Sequence, residues 1–331
     1  GPGGLEAARV AAVRGHKVTV LDKSDRVGGL VSMAQVLNEK IEPLVSYWNE
    51  EMKLHPNIEV KLNTKVDADT VKALNPDDFP GFPHVDTMQQ IEVPFSQFAS
   101  MVRRVARVVS RDESRAILTG VLITLEQGSL RMVATDSYRL AVTETDLPDS
   151  QADDFQAVIL GSFLQEIASL PKSDEPVSLA LAENQIVVTY RNTVFVNRRI
   201  EGNFPNYKQL LPDSHEMRAV IDVDRLVAAV KRVSLLGQSA SPVRFDVNVA
   251  SQTVQLSAAT QDVGSAQETL PCSCEGEDVQ IALNSGYVLE GLGAVETPTV
   301  TLDVISSMRP GTFTTEGEEK YLYLVMPVRI S

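Results

Sequence analysis

A thirteen-residue pattern recurs 128 positions apart in this chain, and it constrains the fold more than any other feature. The first copy runs from Val93 to Val105 and the second from Ile221 to Val233. Phe95, Phe98, Val102 and Val105 answer to Val223, Leu226, Val230 and Val233, one apolar stripe at helical period. Arg103 and Arg104 answer to Lys231 and Arg232, and the periodicity puts them on the far face. A repeat of this length implies two copies of one domain. Two domains that each present a basic helix face imply a surface that follows a polyanion; the plainer reading is a pair of solvated amphipathic helices.

Charge favours the first reading. The chain of 331 residues carries a formal charge of −14. Residues 1–77 hold ten basic and eleven acidic side chains, so nearly all of the acidic excess lies beyond them, in the part that contains the basic helices. An acidic exterior around a gathered basic surface steers a polyanion inward.

Several function classes are excluded. No run of 18 apolar residues exists to span a membrane, and no signal peptide is recognisable, so a cytoplasmic protein is expected. Cys272 and Cys274 form a Cys-x-Cys pair with no histidine beside it, and the four histidines (16, 55, 84 and 215) lack ligand spacing. No metal site and no nucleophilic or paired-carboxylate constellation is defined.

Residues 1–77 begin with a glycine turn entering an alanine-rich helix, then a strand at 17–21 with Asp22 at its end, a helix near 37–54 and a strand at 58–62. The runs Gly1-Pro2-Gly3-Gly4-Leu5-Glu6-Ala7-Ala8 and Asp22-Lys23-Ser24-Asp25-Arg26-Val27-Gly28-Gly29 resemble flavin and pyridine-nucleotide oxidoreductases of the 2,4-dienoyl-CoA reductase and trimethylamine dehydrogenase family. The resemblance implies an incomplete α/β Rossmann-like segment in which Gly1, Gly4 and Asp22 would meet FAD or NAD. The strand and first glycine that the family places before Gly1 do not occur here, and its later Ala-Thr-Gly signature is absent. The expectation is therefore a vestigial site and no bound cofactor.

Beyond a proline-rich boundary at 78–83 the order is helix, strands, helix, strands, twice over, with helices on one face of antiparallel sheets: an α+β fold. Strands are expected at 116–124 and 130–134 around a Gln127-Gly128 turn, and at 155–160, 177–181, 185–190 and 193–200, with a short helix at 162–170. The second copy gives a helix at 223–235, strands at 243–249 and 252–258, a helix at 285–294, and strands at 299–304 and 321–326.

Val133-Ala134-Thr135-Asp136-Ser137-Tyr138-Arg139-Leu140-Ala141, Glu201-Gly202-Asn203-Phe204-Pro205-Asn206-Tyr207 and Val325-Met326-Pro327-Val328-Arg329-Ile330 resemble the bacterial sliding clamps, the beta subunits of DNA polymerase III. The resemblance implies a processivity factor, an accessory subunit and not an enzyme, whose second and third domains are residues 78–203 and 204–331, preceded by the fragment 1–77, so that the chain reads as a chimera. Implied partners are double-stranded DNA, the replicative polymerase, the clamp loader and other proteins carrying clamp-binding peptides. Arg103, Arg104, Arg107, Arg111, Arg225, Lys231 and Arg232 are expected to meet DNA by charge without reading bases. The peptide site carried over by motif comprises Leu118, Thr135, Ser137, Tyr138, Arg139, Leu140, Pro205, Gln209, Leu210, Leu324, Val325, Met326, Pro327, Val328, Arg329 and Ile330, with Arg139 and Arg329 free for partner carbonyls or carboxylates. Family members often carry glycine and a basic residue where this chain has Ser137 and Gln209. A normal ring dimer is not expected, because the family's first domain is not recognisable. Two other readings are an oxidoreductase fragment with a clamp-like tail, and a peptide-binding scaffold without DNA contact.

Overall fold

The computed structural model describes residues 2–29, 42–66, 89–147, 152–182, 184–212, 214–235, 242–260, 264–315 and 320–329. The chain divides into two compact units, Gly1–His84 and Val85–Ser331. The expected proline-rich boundary at 78–83 lies outside the described residues.

The first unit holds helix α1 (Pro2–Val13), strand β1 (Val18–Leu21), helix α2 (Glu42–Leu54) and strand β2 (Ile58–Lys61). β1 and β2 run parallel, with Val18 opposite Ile58. Leu5, Ala8, Val27, Trp48 and Met52 form a small core beneath the strands. The second helix begins at Glu42; the expected residues 37–41 lie outside the described set.

In the second unit, β3 (Gln89–Pro94) leads into helix α3 (Phe95–Val105). Then come β4 (Gly120–Glu126), β5 (Ser129–Thr135), β6 (Arg139–Asp146), β7 (Phe155–Leu160), helix α4 (Gly161–Ala168), β8 (Pro176–Leu181), β9 (Gln185–Tyr190) and β10 (Thr193–Arg198). The second repeat follows with β11 (Met217–Asp222), helix α5 (Val223–Ser234), β12 (Pro242–Asn248), β13 (Thr253–Thr260), β14 (Gly264–Pro271), β15 (Ser273–Gly276) and β16 (Val279–Asn284). It ends with helix α6 (Ser285–Leu292), β17 (Thr299–Val304), β18 (Gly311–Thr315) and β19 (Lys320–Val325). Local chemistry sets the boundaries. Asp222 caps α5 by accepting from the Arg225 amide at 2.9 Å, and Asn284 caps α6 through the Tyr287 amide at 3.1 Å. Gln127 and Gly128 both have positive φ, as a tight hairpin needs. Residues 116–119, expected to open a strand, belong instead to the 3-10 segment Glu113–Thr119, and strand 193–200 ends at Arg198.

The strand orders restate the repeat. The four-stranded sheet β10-β9-β8-β3 matches the stretch β19-β18-β17-β11 of a nine-stranded sheet. That sheet continues through β6-β5-β4-β7, which matches the second four-stranded sheet β14-β13-β12-β16. The repeats are welded where β19 pairs antiparallel with β6, Leu324 facing Leu140 and Tyr323 facing Ala141. Both apolar stripes are buried: Phe95, Phe98, Val102 and Val105 are at most 2% exposed, and Leu226 and Val230 are sealed. They join one core on the helix side of the sheets. The centre of the nine-stranded sheet is buried on its other face as well, which is why β4 reads Val-Leu-Ile-Thr-Leu without polar alternation.

Candidate peptide cleft and cationic helix face

The face of the nine-stranded sheet opposite the helices carries a second apolar cluster. Leu122, Val133, Leu140, Val142, Val158 and Leu324 project from β4, β5, β6, β7 and β19, and Tyr207 closes over them with Phe204 and Leu211. The cluster spans the weld, so both repeats contribute. Around it stand exposed apolar side chains: Tyr138 at 60%, Leu210 at 48%, Met326 at 40% and Val328 at 36%. Exposing a cluster of such side chains is what a protein surface avoids unless a partner supplies the cover.

The rim is fixed by backbone hydrogen bonds. The Met326 amide donates to the Tyr138 carbonyl at 2.9 Å, and the Val328 amide to the Ala282 carbonyl at 2.8 Å. The chain end is thereby held between the β5–β6 turn and β16. In that turn Asp136 accepts from the Tyr138 and Arg139 amides, and Thr135 accepts from Ser137 N at 3.1 Å. Ser137 sits at φ 80°, a left-handed conformation that costs a side-chain-bearing residue about 1 kcal/mol. Its hydroxyl accepts from Arg115 at 3.0 Å.

The structure brings together Tyr138, Leu140, Leu324, Met326 and Pro327, with Leu118 and Thr135 buried at the base of the loops and Ser137, Pro205, Gln209, Leu210, Val328 and Arg329 exposed. Ile330 lies outside the described residues. Two expected members do not face the cleft. In a strand successive side chains point to opposite faces, so Val325 turns into the helix-side core while Leu324 lines the cleft. For the same reason Arg139 points away from Leu140. It is 8% exposed, pairs with Asp136 at 3.0 Å and with Glu290 of α6, and stacks 4.4 Å above the Tyr287 ring. Arg139 is therefore a fastener between the repeats, and Arg329 and Arg115 are the exposed cations near the rim. The exposed Arg115, together with Phe204 and Tyr207, was absent from the expected set. The motif Glu201 to Tyr207 held the signal for the last two.

On the helix side, Arg103 and Lys231 are exposed at equivalent positions of α3 and α5, and Arg225 and Arg111 are exposed. Three expectations change. Arg104 is 6% exposed, lies 5.9 Å from the Tyr321 ring centroid and pairs with Glu296 at 3.5 Å, because the second repeat covers it. α3 stops at Val105, so Arg107 and Arg111 leave the helix register; Arg107 donates to the Arg103 and Glu290 carbonyls. Arg232 stays half exposed but bonds Glu268 through two nitrogens, at 3.0 and 2.6 Å.

In the first unit Asp22 accepts from both the amide and the hydroxyl of Ser24, at 2.9 and 2.6 Å, and these bonds hold its carboxyl below the usual range. The expected ribose contact is thus engaged by its own loop. Gly1 lies outside the described residues, and Gly4 sits within α1 rather than in a turn before it. Among the described residues no group of three His, Cys, Asp or Glu side chains could hold a metal, and no helix is long and apolar enough to cross a membrane.

Comparison with known proteins gives the family. Residues 92–206 match the family described as DNA polymerase III beta subunit, central domain, and residues 208–329 match its C-terminal domain. A beta sliding clamp of Streptomyces coelicolor is 34% identical over 277 residues, 79% of this chain and 72% of that protein. One from Synechococcus elongatus is 28% identical over 312 residues, 92% of this chain and 83% of that protein, so the likeness reaches into the first unit. Among solved structures, the sliding clamp of Bacillus subtilis superposes with a TM-score of 0.73 at 27% identity, over 78% of this chain and 69% of that one. The beta chain from Streptococcus pneumoniae gives 0.72 at 28%, over 77% and 69%.

Proposed function

The chain belongs to the DNA polymerase III beta sliding clamp family, and from that premise we propose a processivity factor that holds duplex DNA by charge and receives linear peptides in the cleft astride the weld. The family is a non-enzymatic accessory subunit of the polymerase and needs no cofactor. The observation that carries the proposal is the β6–β19 pairing, which makes one continuous sheet from two repeats. It aligns their helices on one face and builds the apolar cleft on the other.

The cationic face is formed by Arg103, Arg225, Lys231 and Arg111, with Arg107 and Arg232 as secondary members. Long side chains on a helix meet phosphates wherever the duplex lies, which gives contact without sequence reading. The cleft takes apolar anchors of a polymerase or clamp-loader peptide against Met326, Leu210, Tyr138 and Leu140; methionine adapts to varied shapes. Domain limits of 78–203 and 204–331 follow this reading, in a cytoplasmic setting. The reading of residues 1–77 as an incomplete α/β fragment, and of the chain as a chimera, stands against the clamp likeness over 92% of this chain. The parallel β1–β2 pair supports a Rossmann-like origin, while the bonds of Ser24 to Asp22 speak against a nucleotide ribose there.

Two titrations test the proposal. A fluorescein-labelled peptide from the polymerase should bind with an affinity that falls at least tenfold in Met326→Asp. Duplex binding should stay unchanged in that variant. Lys231→Glu should leave peptide binding intact and reduce the salt dependence of duplex affinity, with a slope change of about 1 for the lost contact. Peptide binding with no salt-dependent duplex binding would instead favour a peptide scaffold without DNA contact.

A further inference from the structure

The chain leaves one sheet and enters another at a single residue, Cys272, between β14 and β15. Pro271 before it pairs with Thr253 of β13, and Ser273 after it pairs with Val220 of β11. The corner is tightly held. The Cys272 amide donates to the Gln252 carbonyl at 3.1 Å, and the Gln252 side chain bridges the Cys274 amide (3.0 Å) and carbonyl (2.6 Å). Cys272 and Cys274 are separated by one residue of extended chain, so both thiols fall on the same side. Both side chains pack against the same helix-side core, and the Cys274 thiol reaches the Asn248 carbonyl at 3.6 Å. Cys272 is partly exposed and Cys274 is buried, which leaves one approach to the pair.

Two residues of strand span about 6.6 Å between Cα atoms, the far end of the disulfide range, so a direct S–S bond there is strained. Two thiols one residue apart on the same side of the chain suit a single bridging atom, which reaches each sulfur through a bond of about 2.3 Å. Among the described residues no third ligand completes a metal site, so the bridging atom must be satisfied by two protein sulfurs.

We propose that Cys272 and Cys274 form a vicinal dithiol site for a thiophilic centre of low coordination number, of which trivalent arsenicals are the chemical class. The reaction is a condensation without redox change. Two As–O bonds of an arsonous acid break, two As–S bonds form, and each thiol proton leaves with a displaced hydroxyl as water. Burial first, and then the neighbouring Cys274 thiol, push the Cys272 thiol up to about 12, so neither ordinary alkylation nor peroxide oxidation competes well at neutral pH. Chelation gains from the second sulfur what the weak first one lacks.

The test uses the full chain and phenylarsine oxide, with bound arsenic measured after gel filtration and iodoacetamide labelling run in parallel. One arsenical per chain is expected, displaced by 2,3-dimercaptopropanol and retained in the same concentration of 2-mercaptoethanol. Cys272→Ser, at the partly exposed corner, should lose binding by at least a hundredfold with an unchanged circular dichroism spectrum, and Cys274→Ser should do the same. Full binding by either single variant, displacement by the monothiol, or no binding by the native chain would overturn the proposal.

Discussion

Arg104 and Arg232 occupy the same place in the two repeats, yet they live in different chemistry. Arg104 lies at the weld, covered by Tyr321 and paired with Glu296, both from the other repeat. Arg232 lies beside β14, a strand whose outer edge is unpaired among the described residues, and it bonds Glu268 of that strand. The register explains the exchange: Met132 pairs with Thr143 in β6 as Leu256 pairs with Glu268 in β14. Where a neighbouring repeat brings the anion, the repeat's own strand carries a neutral threonine. Where none covers it, the strand supplies the carboxylate itself. A duplicated module thus meets the other repeat at one edge, and at the corresponding edge of the second repeat its own strand supplies the carboxylate.

Variants on the two sides can break or sharpen that contrast. The largest effect should come from Arg139→Ala, which removes the cation shared by Asp136 and Glu290 and its stack on Tyr287. A loss on the order of 3 kcal/mol in urea unfolding is expected, because breaking a largely buried pair leaves charge uncompensated. Next is Gly291→Ala. A Cβ there would collide with the Tyr323 ring at the weld, while the equivalent residue of the first repeat, Ile167, is fully buried with ease. Overpacking of this kind costs about 2 kcal/mol, read as a lowered melting temperature. Arg104→Ala should cost about 1 kcal/mol through lost packing against Tyr321 and the lost ion pair with Glu296. Arg232→Ala should hardly alter stability and should instead weaken duplex binding at low salt. Equal stability losses at 104 and 232 would contradict the assignment of weld and free edge.

The smallest effect concerns pH. Burial pulls the Glu144 carboxyl upward, but Arg131 at 2.6 Å and Lys320 at 3.4 Å outweigh it and hold the group below its ordinary value of 4.5. A depressed folded-state value means stability that is complete above the ordinary carboxylate range and is lost as pH falls through the lowered one. Lys320 reaches Glu144 across the weld, so Glu144→Gln should flatten the decline of stability below about pH 4.5. An unchanged acid limb would remove Glu144 from the joint.

The repeat, the α+β class and both apolar stripes were legible in the sequence, because periodicity survives without knowledge of partners. Residues 133–141 and 325–330 do meet across the weld, but not every side chain of the two runs faces the proposed cleft. Strand alternation, applied to those runs, would have separated Leu140 and Leu324 from Arg139 and Val325. The burial of Arg104 was not legible, since it depends on Tyr321 and Glu296, more than 190 positions away in the chain. Gly291 was equally silent, because only the crossing of Tyr323 makes its missing side chain necessary.

Hydrogen exchange along the two edges tests the weld most directly. The amides of β6 and β19 that bond across the junction should exchange only through global unfolding, while the outward amides of β14 exchange orders of magnitude faster. Comparable rates at β6, β19 and β14 would mean that the repeats are not joined into one sheet, and the cleft built across that joint would lose its foundation.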